Sequence, residues 1–322
     1  MNNTTLISIC CATYNHDKYI SKTIEGFLIQ ETDFQIEIII HDDASKDNTQ
    51  EILKEYAIKD SRINLVLQKE NQMSKGLNPT IDDCLLKAKG KYIALCDGDD
   101  YWTDPFKLQK QVDFLELNPN FQVCFTNTSV VNGDNKIIKD YNVTKLNKDV
   151  FEHKDMPVYA PTLTRVFRKI IFPESIKKSP SGDNFMLVYQ SKFGKIKFLD
   201  EVTAAYRQHD KGVWSGVSKA KQISTSMKTS IACLEILEDY MFPKYFGMLL
   251  GSLLKLKTID KTVFKEMTIL VNQKLKEYKG KISLKNYLTI RRVLILNNSN
   301  LVNYHTIRTH LKSTIKTLKT SV

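Results

Sequence analysis

The chain has 322 residues, 42% of them hydrophobic; that supports a large core, and a usual domain size of about 100–200 residues suggests two units. No apolar run approaches the roughly 18 residues of a membrane span, residues 245–254 coming nearest, and the opening MNNTTLISICCATYN lacks the basic start of a signal peptide. The net charge of +11 sits in the tail: residues 261–322 hold 13 Lys or Arg against Glu266 and Glu277, while the rest of the chain balances, which argues against a nucleic-acid binder and for a C-terminal element facing an anionic surface.

In chain order, residues 6–12 (LISICCA) form a continuous apolar run, the pattern of a strand buried on both faces. Residues 17–30 carry helical spacing through Ile20, Ile24, Phe27 and Leu28. A second strand over 35–41 is followed by a helix over 49–57. A third strand over 62–68 is followed by a helical stretch over 79–89 and a fourth strand over 92–96. This alternation predicts a doubly wound, mainly parallel α/β sheet, whose ligand lies beyond the carboxyl ends of the strands. A helix over 105–117 is marked by Asp104 as cap, Pro105 in its first turn and Pro119 beyond its end. Residues 122–215 read as short strands and loops of an acceptor-side half. From residue 218 the pattern is helical, over 223–241, 245–256, 263–278, 284–296 and 301–318. The six cysteines show no Cys-x-x-Cys spacing and several lie in strand-like runs, so they read as buried hydrophobes of a cytoplasmic protein.

Three polar motifs fall at strand ends. Thr13-Tyr14-Asn15 follows the first strand and offers a hydroxyl, an aromatic face and backbone groups to a nucleoside. His41-Asp42-Asp43-Ala44-Ser45-Lys46-Asp47-Asn48-Thr49 follows the second. A helix cap explains Ser45 or Asp47, but not two adjacent acids that crowd each other. Cys96-Asp97-Gly98-Asp99-Asp100-Tyr101-Trp102 follows the fourth. Three carboxylates in four residues repel one another unless a cation neutralises them, and Mg2+ or Mn2+ bridges such groups to phosphates. An Asp-Gly hairpin does not fit, because a helix follows, and a calcium-binding EF-hand loop does not fit, because residue 108 is Leu and not Glu.

Together these motifs resemble the inverting family 2 glycosyltransferases of the GT-A fold. That family carries a polar loop after strand one, Asp-Asp-x-Ser-x-Asp-x-Thr after strand two and Asp-x-Asp-Asp after strand four. The run from Asp97 to Leu108 is similar to bacterial members that build surface polysaccharides. Gly182-Asp183-Asn184 resembles the motif of the family's catalytic base, and residues 206–215 resemble a segment that closes over the donor phosphates. The resemblance covers residues 4–216, a GT-A catalytic domain with its donor half over 1–120 and acceptor half over 121–216. A basic helical region over 217–322 carries none.

The resemblance implies a UDP-sugar as the commonest donor and a divalent metal, Mn2+ or Mg2+. Asp43 would hold the base, with Thr13, Tyr14, Asn15, Asn78 and Gly98 beside the nucleotide. Asp97 would hold the ribose, Asp99 the metal, and Asp183 would take the acceptor proton. Arg207, His209 and Trp214 would close over the diphosphate, His209 also serving as a metal ligand, and Asp100 and Trp102 would contact sugar or acceptor. Bland alternatives stand beside these: a helix cap for Asn78 or Asp183, surface pairing of Arg207 or His209 with Asp200 or Asp210, and core packing for Trp102 and Trp214. The acceptor would be a glycan or lipid-linked sugar, and the basic helices would meet the inner membrane face or another copy of the chain. A sugar-phosphate nucleotidyltransferase would need a glycine-rich loop near the start, yet only Gly26 precedes Gly76. The remaining rival is a catalytically inactive nucleotide-sugar-binding module.

Overall fold

The computed structural model describes residues 5–298 apart from residues 77, 79 and 145, so the helix expected over 301–318 lies outside the described residues. They divide into two compact units, residues 5–172 with 186–211, and residues 173–185 with 212–298.

The first unit is built on one mixed sheet. Its opening half is the predicted alternation: β1 (Thr5–Thr13), α1 (Ile20–Leu28), β2 (Gln35–Asp42), α2 (Thr49–Lys59), β3 (Ile63–Leu67), a π-helical turn Thr80–Cys84 running into α3 (Leu85–Lys87), and β4 (Tyr92–Leu95). The strands lie parallel in the order β3-β2-β1-β4. Helices cover both faces, so Ile7, Ile9, Cys10 and Cys11 are all buried although they alternate in direction. The polar exceptions are paired: Ser8 Oγ donates to Glu37 Oε1 and accepts from the Gly90 amide, at 2.5 and 2.8 Å.

The second half adds β5 (Tyr101–Trp102), α4 (Lys107–Leu117), β6 (Phe121–Asn132), β7 (Ile137–Lys139), β8 (Val150–Phe151), β9 (Val166–Arg168) and β10 (Lys195–Gln208). The sheet continues from β4 through β9, β6 and β10 to β5. Here β10 runs parallel to β6, and its last residues pair antiparallel with β5, Ala204 opposite Trp102 and Ala205 opposite Tyr101. That pairing delivers Arg207 and His209 to the loop after β4. Helix α4 starts two residues later than the expected residue 105. Asp104 caps the amide of Phe106 at 2.9 Å, the Pro105 carbonyl is taken by the Glu31 amide at 2.9 Å, and Gln30 Oε1 accepts from the Leu108 amide at 3.1 Å.

The second unit is helical. It shares α5 (Gly182–Gln190) with the first and continues through α6 (Lys219–Cys233), α7 (Phe242–Ile259), α8 (Lys261–Glu277) and α9 (Leu284–Asn298). The single helix expected over 223–241 ends at Cys233, and a separate helix starts at Phe242 with Pro243 in its first turn, a position that tolerates proline. Asp260 ends α7 and caps α8, accepting from the Thr262 and Val263 amides at 2.9 and 3.0 Å. Phe246, Leu250 and Leu253 of α7, Met267 and Val271 of α8, and Ile290 and Leu294 of α9 form its apolar core. Among the described residues no helix is long and apolar enough to cross a membrane.

Candidate active site

The loops at the carboxyl ends of β1, β2 and β4 are sewn to one another. The Asn15 amide donates to Ser45 Oγ at 2.8 Å, Asn15 Oδ1 accepts from the Lys46 amide at 2.8 Å, and the His16 amide donates to Thr49 Oγ1 at 2.9 Å. These cross-links hold Asn15 and Ala44 at positive φ, 56° and 63°. Asn adopts that region readily, whereas Ala is strained there and depends on its surroundings. The two adjacent acids have separate tasks. Asp42 turns back into its own loop, accepting from the Ser45 amide and hydroxyl and from Gln50 Nε2. Asp43 faces the next loop and accepts from the amides of Gln72 and Met73. Buried His41 lies between carboxylates, Nδ1 2.9 Å from Asp83 and Nε2 3.7 Å from Asp43. Tyr14 keeps part of its ring exposed.

The loop after β4 is tighter. Gly98 donates its amide to Ala12 O at 2.9 Å, and a Cβ there would meet Thr13 Oγ1 at 2.5 Å and Thr13 Cβ at 2.6 Å, so only glycine fits. Thr23 Oγ1 donates to the carbonyls of Gly98 and Asp100, at 3.0 and 2.6 Å. Asp97 is exposed, Asp99 half-buried and Asp100 buried. Burial, and then the negative charge of Asp99, push the Asp100 carboxyl well above the usual range, although the Arg207 amide donates to it at 2.7 Å.

Around Asp99 stand two histidines. His209 Nε2 is 3.0 Å from Asp99 Oδ2 and His16 Nε2 is 3.8 Å from the same atom. Thr13 Oγ1 holds His16 Nδ1 at 3.1 Å, and Tyr19 packs on the His209 ring at 4.8 Å between centroids. Burial works to raise the Asp99 carboxyl, but the His209 hydrogen bond and the two imidazoles hold it below its ordinary value. Burial depresses His16 against the opposing pull of Asp99, which favours the neutral imidazole that ligates metals. The ligating atoms of His16, Asp99 and His209 lie within 4.8 Å of one another. Two imidazole nitrogens and one carboxylate oxygen are a donor set that fits a divalent cation.

The other expected site residues divide. Arg207 is 2% exposed and engaged inside the protein: Nε donates to Asp99 O at 2.6 Å, one terminal nitrogen donates to Asn135 Oδ1 at 2.6 Å, and the guanidinium stacks 4.5 Å from the Tyr19 ring. It braces the Asp99 loop and does not reach out toward a phosphate. Trp102 is 2% exposed, with its indole N–H on Leu163 O at 2.7 Å, Phe27 against its ring and Lys107 Nζ 4.3 Å from it. Trp102 is thus a core residue with no ring face open to a sugar, and buried Asp100 serves the same interior. Asn78 caps the turn that follows it, Oδ1 accepting from the Thr80 amide at 3.1 Å. Asp183 and Trp214 belong to the second unit. Asp183 sits half-buried in the first turn of α5 and accepts from Ser181 Oγ. Trp214 is 43% exposed, and its carbonyl accepts from Gln222 Nε2 at 2.9 Å.

His16 is the residue that sequence reasoning missed. It directly follows Thr13-Tyr14-Asn15, but its partners are Asp99 and His209, far along the chain, and no local spacing joins them.

A parallel strand–helix half with carboxylates at its strand ends, extended by a mixed half that returns a histidine to them, defines a GT-A-type fold. TarS 1–349 from S. aureus, solved in complex with UDP-GlcNAc, has that fold, with a TM-score of 0.63 at 18% identity over 98% of this chain and 91% of that one. The profile of Glycosyl transferase family 2 matches residues 8–174, and the chain belongs to that family. An uncharacterized protein of Mycobacterium tuberculosis is 34% identical over 220 residues, 65% of this chain and 60% of its own length. The Escherichia coli UDP-Glc:alpha-D-GlcNAc-diphosphoundecaprenol beta-1,3-glucosyltransferase WfaP is 42% identical over 116 residues, 36% of this chain and 43% of its own. The chain therefore spans less than two thirds of the length of the curated relatives it matches first.

Proposed function

We propose that the chain transfers a sugar from a nucleoside-diphosphate donor, a UDP-sugar, to a hydroxyl of a glycan or lipid-linked acceptor in bacterial surface-polysaccharide synthesis, inverting the anomeric centre. The observation that carries this reading is the placement of Asp43, Asp97 and Asp99 on loops at the carboxyl ends of β2 and β4, the two parallel strands that flank β1. The name of the E. coli relative, with its UDP-Glc donor and diphosphoundecaprenol acceptor, supports the choice of substrate classes.

In this reading Asp43 uses the acceptor positions left by Gln72 and Met73 to take hydrogen bonds from the base, and Asp97 takes them from the ribose. Thr13, Tyr14, Asn15, Asn78 and Gly98 frame the nucleotide. Asp99 and His209 would hold Mn2+ or Mg2+, which supplies charge stabilisation to the diphosphate leaving group. Arg207 acts from within, fixing the Asp99 backbone. Asp183 accepts the acceptor's hydroxyl proton while that oxygen bonds to the anomeric carbon. The carbon–oxygen bond to the diphosphate breaks, and its electron pair leaves with the nucleoside diphosphate. Trp214 is the aromatic face available to the donor or acceptor. On α9, exposed Leu284, Leu288 and Ile295 share a surface with Lys285, Arg291 and Arg292, which suits an anionic membrane face carrying the acceptor.

Calorimetric titration with UDP, with and without Mn2+, tests the donor site on wild type and Asp99→Ala. Mn2+-dependent binding, lost in the variant, is the expected result. No binding of uridine, guanosine or thymidine diphosphates would remove the donor-site assignment. Binding without turnover of any sugar donor would leave the inactive-module reading in its place.

A further inference from the structure

We propose that His16 is a third protein ligand beside Asp99 and His209, making a two-histidine, one-aspartate site that takes a first-row transition cation in preference to Mg2+ before any nucleotide arrives. This rests on the donor-site reading through Asp99 and His209, and adds His16 to them.

The geometry is already close to what an ion requires. Metal–nitrogen and metal–oxygen bonds of about 2.0–2.2 Å place two ligands of one ion about 3.0–4.3 Å apart. The Asp99–His209 and Asp99–His16 separations are 3.0 and 3.8 Å, and all three ligating atoms fall within 4.8 Å. Each ligand is fixed by something other than an ion. Thr13 holds His16 through Nδ1, leaving Nε2 toward Asp99. Tyr19 packs on His209, which follows directly on β10. Arg207 Nε holds the Asp99 carbonyl at 2.6 Å, and Thr23 holds the carbonyls on either side of it. A site assembled in advance does not wait for a diphosphate to complete it.

The chemistry sets the selectivity. Mg2+ demands oxygen donors in near-ideal octahedral geometry and gives up its waters reluctantly. A carboxylate alone treats Mg2+ and Mn2+ nearly alike, so a site built on Asp99 alone would discriminate little. Two imidazoles change that, because nitrogen donors favour first-row transition ions, with affinity rising from Mn2+ to Co2+.

The test uses the full chain with no nucleotide present. Mn2+ binding is read from loss of the free-ion paramagnetic resonance signal, Co2+ binding from its visible absorption, and Mg2+ binding by competition. The expected order is Co2+ over Mn2+ over Mg2+, with equimolar Mg2+ failing to displace Mn2+, because imidazole nitrogen suits first-row transition ions better than Mg2+. His16→Ala and His16→Asn should each weaken Mn2+ binding by at least about ten-fold, since even loss of a supporting partner costs about 10–100-fold. Both should also alter the Co2+ spectrum. The Asn variant keeps a polar group beside Thr13, so a folding defect confined to the Ala variant does not decide the outcome. Unchanged Mn2+ affinity in a folded His16→Asn chain, or equal affinity for Mg2+ and Mn2+, overturns the proposal. Cation binding as expected with no uptake of UDP would leave this site standing and the donor reading refuted. Mn2+-dependent UDP binding with His16 variants unchanged would do the reverse.

Discussion

Arg207 in the first unit and Leu253 in the second are both sealed from solvent, and they are held there by opposite physics. Leu253 lies in an apolar helix core where shape and area decide. Arg207 lies among acceptors that need its protons: the Asp99 carbonyl, Asn135 and the aromatic faces of Tyr19 and Tyr101. The comparison teaches that the strand-end loops are specified by hydrogen bonds and the helical unit by volume. It follows that volume-conserving changes should be tolerated in one region and not in the other.

The largest effect tests this directly. Arg207→Met keeps most of the side-chain volume but removes every side-chain donor, and it should cost about 2–5 kcal/mol, since it strands the Asp99 carbonyl and Asn135 Oδ1 at about 1–3 kcal/mol each. Leu253→Met should cost less than about 1.5 kcal/mol. Denaturant melts of both variants give the two numbers, and an Arg207→Met cost as small as the Leu253→Met cost would erase the distinction.

A second pair uses the same substitution in both regions and expects opposite signs. At Gly98 a methyl group would press on Thr13 Oγ1 and Cβ, at 2.5 and 2.6 Å, inside a loop that cannot yield without moving Asp99. Gly98→Ala should lose about 1–3 kcal/mol, together with Mn2+ affinity. At Gly251, inside α7, an added Cβ meets nothing within 4 Å. Gly251→Ala should gain about 0.5–1 kcal/mol from helix propensity and the reduced freedom of the unfolded chain. Thermal melts separate the two outcomes, and destabilisation by both would mean that α7 is packed more closely at Gly251 than its surroundings show.

The two regions were also unequally legible in the sequence. The strands β1, β2 and β4 announce themselves as apolar runs, and the acids stand directly after β2 and β4, so the parallel strand–helix alternation and the Asp43, Asp97 and Asp99 loops could be read ahead of the structure, though not the order of the strands. The pairing of β10 with β5 could not, because antiparallel partners a hundred residues apart leave no local pattern. With it went the bracing role of Arg207 and the existence of His16 as a site residue, whereas His209 was read as a metal ligand from the resemblance. The resemblance of residues 206–215 and the charge of Arg207 suggested that it faces a phosphate, whereas its neighbours in space are the Asp99 carbonyl, Asn135 and two tyrosine rings. Trp102 illustrates the same blindness: an aromatic beside an acidic motif fits a sugar platform equally well until Phe27, Leu163 and Lys107 are seen to surround it. In the second unit the helices were legible from their spacing. The break at Cys233 was not read, because no Gly or Pro marks it.

The last effect concerns a charge that the first unit buries with no ion-pair partner among the described residues. Lys107 Nζ donates to Gln111 Oε1 at 2.8 Å and lies 4.3 Å from the Trp102 ring. Burial pushes its ammonium down to about 7. The unfolded chain keeps the proton up to about pH 10.4. Between those values the unfolded state binds one more proton than the folded state, so this group makes stability rise with pH, by about 1.4 kcal/mol per pH unit. Below pH 7 both states are protonated and the full cost of the buried ammonium is present. The buried thiols of Cys11 and Cys96, raised by burial, work in the opposite sense above pH 8, because the unfolded chain loses their protons first. The informative quantity is therefore the difference between wild type and Lys107→Met, in which the cysteine contribution cancels. That difference should favour the variant most at pH 6 and shrink steadily toward pH 9. A difference independent of pH would mean that Lys107 keeps one protonation state throughout, and that Gln111 and the Trp102 face stabilise the ammonium as well as water does.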